Sequence, residues 1–555
     1  MYAKFAISFA ICHLCTSVII NIRPIKIIKY AKSSTGHAFA NTTTRYDDFG
    51  AHADYLNTTD DIKDYEDYVY NDRTESYDEF EGSADDENVY NDYYDTTTDT
   101  LESQDEDETS CEEEEENERC VEHAKRKRPI VTPGGATVLN PYDRDGSKNA
   151  SSVVPLFGST PNYSGYLSIN ERYGAFLFFW FFYSQTNPAT APLVIWLQGQ
   201  PGTSVLVGLF EEHGPYHIDK NGTMHRREFT WNREFNVLYL DHCIPCGFSF
   251  ARDDDGATTT LEASAEAVYQ GLQQFFGVFT EFANNEVYLA GEYGCGKIIP
   301  IVCLTIQSRN QNAAVIPVNL KGAMIGSAMV DVNYMVNYGH YWYTWGLADP
   351  QIRQTLGFLE EIARGYIRAD FEDDVLNYFR YHIFVKLSER DYNSPYDLRF
   401  VNASLDERVT TYIDERLFRQ WLHVGNSTYH FGHKYLSIKL LRDISSYIPQ
   451  VLQNFRLMFY SGQFDPLFTY NQASKFLQRI SWSELDKWFR SSRQNWYIND
   501  RLVGYSKSHR TLTQVLVRNA GHMVGKTQPE ALFYLLKWFV EDKFPHSVEF
   551  GLQSK

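Results

Sequence analysis

Glu286-Val287-Tyr288-Leu289-Ala290-Gly291-Glu292-Tyr293-Gly294-Cys295-Gly296-Lys297 is the stretch whose reading decides the fold. Glu286 to Ala290 reads as a short buried strand, Gly291 to Gly296 as a glycine-rich turn, and Lys297 to Gln307 as a helix. A strand that turns sharply into a helix with small neighbours is the shape of the G-x-S-x-G nucleophile turn, where the backbone is strained. Here the central residue is Tyr293. Downstream, Asp465 follows a predicted strand ending Tyr460-Ser461-Gly462, and His522 stands in Asn519-Ala520-Gly521-His522. An acid and then a histidine, each after a strand, is the chain order that follows the nucleophile in this arrangement.

The flanking sequence supplies the rest of a layered α/β body. Ala175 to Tyr183 is an apolar and aromatic run, and Pro192–Leu197 and Asn236–Asp241 read as short buried strands. Thr258 to Phe282 has helical periodicity, with Leu261, Ala265, Val268 and Leu272 on one stripe. Leu320–Ile325, Arg456–Tyr460 and Thr513–Arg518 complete the predicted strands, and Glu530–Glu541 reads as a closing helix. Such alternation predicts a mostly parallel sheet covered by helices on both faces. Between about Asn333 and Ile448 the pattern is mainly helical, which predicts a cap over the C-terminal ends of the strands.

The formal net charge of −21 hides an asymmetry. Between Arg45 and His123 stand 31 acidic and 4 basic residues, a net of −27, which leaves the remainder at +6. That segment holds nine tyrosines from Tyr46 to Tyr94 and few aliphatics, so it cannot bury enough apolar area to offset chain entropy and is predicted disordered. Tyrosines in such acidic surroundings fit sulfation in exported proteins, and a plain solvated acidic tail is the favoured reading. The run Lys125-Arg126-Lys127-Arg128 closes it with the look of a processing site, against which Pro129 counts. No basic patch argues for nucleic acid. Lys4 before the apolar stretch Phe5–Ile22 reads as a signal peptide, with a membrane anchor as the rival. The predicted organisation is a signal peptide over 1–22, the acidic segment over 23–130, the first part of the core over 131–332, the cap over 333–448 and the second part of the core over 449–555.

Seven Asn-X-Ser/Thr sequons, at Asn41, Asn57, Asn149, Asn162, Asn221, Asn402 and Asn426, support export as glycosylation candidates. Outside the signal six cysteines remain. Cys111 and Cys120 bracket an acidic loop and are a candidate pair; Cys243, Cys246, Cys295 and Cys303 can form two bridges of unreadable connectivity, and the Cys243-Ile244-Pro245-Cys246 spacing reads as a structural bridge or buried thiols ahead of a redox motif or half a zinc site. No second C-x-x-C and no histidine at ligand spacing supports a metal.

On these residues the chain resembles the serine carboxypeptidases, which have the α/β-hydrolase fold, and especially their vitellogenic-type branch. Trp196-Leu197-Gln198-Gly199-Gln200-Pro201-Gly202 is similar to the family's W-L-[NQ]-G-G-P-G, and Phe210-Glu211-Glu212-His213-Gly214-Pro215-Tyr216 to F-V-E-H-G-P-Y. Gly247-Phe248-Ser249-Phe250 matches G-F-S-F, and Gly291 to Lys297 aligns without gaps to G-E-S-Y-A-G-K. The resemblance runs from about Asn140 to Pro545. It implies that Tyr293 occupies the nucleophilic serine's place, Asp465 the orienting acid's and His522 the general base's. The backbone N–H groups of Gln200 and Gly294 would form the oxyanion hole. Gln198, Glu212 and Glu292 would bind a peptide's terminal carboxylate, since crowded carboxyls with raised pKa donate hydrogen bonds in acid. No cofactor or metal is implied.

The departures lead the functional reading. A phenol has an unperturbed pKa near ~10 and projects a ring's length beyond where a serine hydroxyl would sit. Gln200 stands where a glycine is usual, and Cys295, inside the helix, faces away from the turn. The first expectation is a secreted, extracellular pseudoenzyme that binds free peptide C-termini, with the lysosomal or vesicular lumen as the alternative setting. The acidic segment would recruit basic proteins or cations. No nucleic acid and, after signal removal, no membrane is expected as a partner. The alternatives are an active acid carboxypeptidase and a structural or storage protein that works through its acidic tail.

Overall fold

A computed structural model describes residues 134–544 apart from 159, 200–202, 220, 370–377, 385, 387–395, 401–411, 414 and 432–441. The expectations for 1–22 and 23–130, for Cys111 and Cys120, for Lys125–Arg128, and for Gln200, Asn41, Asn57 and Asn402 lie outside the described residues.

In chain order the strands are β1 (Ser152–Val153), β2 (Asn162–Asn170), β3 (Ala175–Phe182), β4 (Leu193–Leu197), β5 (Tyr216–Ile218), β6 (Met224–Arg226) and β7 (Asn236–Leu240). There follow β8 (Phe250–Ala251), β9 (Val287–Glu292), β10 (Leu320–Gly326), β11 (Arg456–Gly462), β12 (Gln494–Ile498), β13 (Arg501–His509) and β14 (Leu512–Val517). The main sheet runs β1-β2-β3-β7-β4-β9-β10-β11-β14-β13-β12, with β8 beside β3 and β5-β6 as a separate hairpin. Its centre, β7 to β14, is parallel throughout, and antiparallel strands extend both edges. The expected α/β architecture is what the chain adopts.

The longer helices are α1 (Arg144–Ser151), α2 (Leu261–Val278), α3 (Cys295–Arg309), α4 (Tyr338–Thr344), α5 (Pro350–Arg368), α6 (Tyr447–Asn454), α7 (Tyr470–Leu477) and α8 (Pro529–Val540). α2 starts where Thr260 caps the Ala263 N–H, and its Leu261-Ala265-Val268-Leu272 stripe is buried. β3 shows why both sheet faces are covered. Leu177, Phe179 and Phe181 pack with α2 and α3, while Phe176, Phe178, Trp180 and Phe182 join a second core with α8. Truncating one of these rings to alanine would cost about 3–5 kcal/mol. The described helices between 333 and 448 include α4, α5 and the short Arg416–Trp421. α4 docks on the loop after β11, with Tyr341 Oη donating to the Asp465 carbonyl and Trp342 Nε1 to that of Pro466.

Two expectations need correction. Instead of two bridges among Cys243, Cys246, Cys295 and Cys303, one disulfide joins Cys243 to Cys246, whose Cα atoms lie 5.4 Å apart, and Cys295 and Cys303 are free and buried. Eight residues apart on α3, those two stand about 12 Å apart along the axis, beyond disulfide reach. Asn162 is the second: it is 1% exposed in β2, accepts from Trp180 Nε1 and donates to the Thr160 carbonyl, so it has no room for a glycan. Asn149, Asn221 and Asn426 are exposed.

Candidate active site

β9 delivers Tyr293 at its C-terminal end, where the chain turns into α3 with φ of 51°. A non-glycine residue in this left-handed region is strained by about 1–2 kcal/mol. Its neighbours hold it there. The Tyr293 N–H donates to the Gly326 carbonyl at 2.9 Å, and its carbonyl accepts from Gly296 and Met329. A side chain at Gly199 would meet the Glu292 carbonyl oxygen at 1.5 Å, and one at Gly296 the Met329 carbonyl at 2.4 Å, so glycine is required at both. The Tyr293 ring is half-buried, edge-to-face with Phe468 at 5.0 Å and with His522 at 5.9 Å between centroids. Burial raises the phenol's pKa far above its usual value, and its hydroxyl has no hydrogen-bond partner among the described residues. The Gly294 N–H likewise meets no acceptor among them.

Asp465 and His522, on the loops after β11 and β14, are brought together: His522 Nδ1 lies 3.0 Å from Asp465 Oδ2, and both are buried. Asp465 Oδ1 accepts from the Leu467 and Phe468 N–H groups. Burial alone would raise the Asp465 pKa, but the adjoining His522 and donors from His522, Ser327 and Leu467 hold it below the usual carboxylate value. Ser327 Oγ also donates to the His522 carbonyl at 3.1 Å.

Gln198, Glu212 and Glu292 form a second buried group beside this pair. The Gln198 amide donates to Glu292 Oε1 at 2.6 Å, while its carbonyl accepts from Trp196 Nε1 and the Gly208 N–H. Gln198 is thereby fixed in one orientation. Glu212 Oε2 accepts from the Gly525 N–H at 3.0 Å. Glu212 Oε1 meets no donor among the described residues, and the buried Glu292 carboxyl nearby favours a proton on one of the two, because ionised carboxylates only accept. Burial pushes Glu212 up to about 7, and burial together with the Glu212 charge raises Glu292 well above the usual range. Cys295, the other nucleophilic side chain nearby, turns away: its Sγ donates to the Leu197 carbonyl at 3.0 Å, and burial raises its pKa.

Sequence reasoning missed Arg399. In the stretch 396–400, Arg399 binds the Asp397 carboxylate, donates to the Asn519 carbonyl at 2.9 Å and stacks over Phe464 at 5.2 Å. The Tyr396 carbonyl accepts from the His522 N–H at 2.7 Å, and the Leu398 N–H donates to the Phe464 carbonyl. This strap therefore ties the loop of Asp465 to the loop of His522. An arginine in a helical-looking region carries no motif, and its partners lie up to 120 residues away in sequence.

Comparison with known proteins agrees with this geometry. Residues 155–542 match the family model of the serine carboxypeptidases, Peptidase S10. The chain is 34% identical to the venom serine carboxypeptidase of Apis mellifera, over 69% of this chain and 85% of that one. It is 29% identical to the vitellogenic carboxypeptidase of Aedes aegypti, over 76% and 93%. Its fold is similar to that of the prohormone-processing carboxypeptidase Kex1 of Saccharomyces cerevisiae, with a TM-score of 0.59, 19% identity, and 74% and 94% of the two chains covered. An α/β sheet that delivers an acid–histidine pair to its strand ends, and a family match spanning both halves of that sheet, lead to one conclusion: the chain belongs to the serine carboxypeptidase family.

Proposed function

We propose that the protein is an exported family member that no longer turns substrate over and instead binds peptides through their free C-terminal carboxylates. The observation that carries this reading is the residue at the apex of the strand-to-helix turn. Tyr293 stands where the family's nucleophilic serine belongs, and its hydroxyl makes no hydrogen bond to His522. A general base cannot activate a hydroxyl it does not touch. Losing the nucleophile of such a site costs on the order of 10⁶ in turnover. Gly294 N–H remains an open donor at the place of the oxyanion hole, with Gln200 as its partner in the resemblance.

The carboxylate-binding reading rests on the Gln198–Glu212–Glu292 group. With pKa raised, these carboxyls are protonated in acid and donate to an incoming carboxylate instead of repelling it. Calorimetry with short peptides at about pH 5 tests it: free C-termini bind and their amides do not. Equal affinity for both would sink the reading. The insect relatives named for venom and vitellogenesis, the exposed sequons Asn149, Asn221 and Asn426, and the apolar stretch Phe5–Ile22 support export. No helix among the described residues is long and apolar enough to cross a membrane. The intact Asp465–His522 pair favours the second reading, an active acid carboxypeptidase.

A further inference from the structure

A cavity of about 220 Å³ opens beside the loop that carries Asp465. Its floor is Gly462 and Leu516, at the C-terminal ends of β11 and β14, and its walls include Tyr341, Trp345, Tyr470 and Arg493. None of Tyr293, Gln198, Glu212, Glu292 or His522 lines it. We infer that this cavity is a second binding site, for a single aromatic ring that carries a carboxylate.

Arg493 determines the charge of the ligand. Its guanidinium stacks over Tyr505 at 4.2 Å and over Tyr470 at 5.0 Å, so its faces are occupied and its N–H edges remain for a ligand. It makes no ion pair or hydrogen bond among the described residues. A planar guanidinium held in this way matches the two oxygens of a carboxylate. A second observation has the same sign. α7 begins at the cavity wall, where Thr469 and Gln472 cap each other and leave the Tyr470 and Asn471 N–H groups without an acceptor among the described residues. The positive end of a helix favours an anion.

The walls determine the body of the ligand. Trp345 is 40% exposed at the rim and Tyr341 is locked by its bond to the Asp465 carbonyl, so flat apolar surfaces face the space. The volume lies below the ~300–1,000 Å³ of sites for drug-sized ligands, which limits the occupant to about one ring. Strand ends of an open α/β sheet are where such sites form.

Benzoate is the probe, with benzamide as its uncharged match, titrated into the full chain by calorimetry or followed by ligand NMR. Benzoate should bind the wild type, and benzamide should bind about tenfold more weakly or not at all. Arg493→Gln should weaken benzoate by about tenfold or more, and Arg493→Lys by less. N-acetyl-Gly-Leu, a free C-terminus of the kind the Gln198 group takes, should not displace benzoate. Arg493 is exposed, so Arg493→Gln should lower the melting temperature only by the loss of its two ring contacts and Arg493→Lys by less, with the fold intact. Absence of benzoate binding, equal affinity for benzamide, or displacement by N-acetyl-Gly-Leu with no loss in Arg493→Gln would each overturn the inference; the last would place the anion in the Gln198 group.

Discussion

Tyr293 meets His522 ring edge to ring face, with 5.9 Å between centroids, and no hydrogen bond joins them. On its other side the same imidazole is held by Asp465 at 3.0 Å. Half of a proton-relay geometry is thus complete, and the residue facing it is a half-buried phenol wedged against Phe468. Everything proposed about function turns on this junction.

The strap through Arg399 should matter to the pair it ties. Asp397 is almost fully buried while Arg399 is about a quarter exposed, so Arg399→Ala removes the guanidinium from a buried carboxylate. The Arg399 N–H still donates to Asp397 in the variant, so the expected loss is about 1–3 kcal/mol, below the ~3–5 of a fully enclosed pair left without any donor. Loosened loops should also weaken the low-field NMR signal of the His522–Asp465 proton, with Arg399→Lys partly restoring it. A variant that melts early but keeps that signal unchanged would make Arg399 purely structural.

Stability should fall as pH rises through the range in which Glu212 titrates. Its folded pKa is raised to about 7 from an ordinary 4.5, so the neutral form is favoured in the fold. Stability is then fully present below about 4.5 and declines up to about 7, by on the order of 1–3 kcal/mol. Glu212→Gln removes the share that Glu212 contributes; Asp241, also raised by burial, and neutral buried His213, which favours higher pH, act alike in both proteins, and Glu292 loses only the part of its shift caused by the Glu212 charge. Melting temperatures of the two at about pH 5 and pH 7 check the sign: the wild type should lose more than the variant.

Gly199→Ala should prevent the turn from closing. The new Cβ would sit 1.5 Å from the Glu292 carbonyl oxygen, which is backbone and cannot swing away. A loss of about 3 kcal/mol or more is expected, at the upper end of overpacking effects. A melting curve like the wild type's would mean that the loop after β4 does not lie against the turn.

Much of the fold was legible because the central strands are continuous apolar runs: antiparallel β3 and parallel β4, β7, β9 and β10 were expected to within a residue or two. β2 and the β12–β13 hairpin escaped. β2 mixes serine, asparagine and Gly165 into its run, and β12 alternates exposed and buried residues over a short span. Glu292, Tyr293, Asp465 and His522 were visible because each follows a strand, and the structure brings them together. Arg399 and the cavity at Arg493 were not, since both arise from contacts between segments far apart in sequence. The spacing of Cys243 and Cys246 suggested a local bridge or buried thiols without deciding between them, and the structure has the bridge.

The most direct test is hydrolysis of N-blocked dipeptides in acid by the wild type, His522→Ala and Tyr293→Ser. The account predicts silence from the first two and turnover from Tyr293→Ser, whose shorter hydroxyl would reach the waiting imidazole. Turnover by the wild type that disappears in His522→Ala would contradict it, and would mean a working enzyme in which Tyr293 does not block the chemistry.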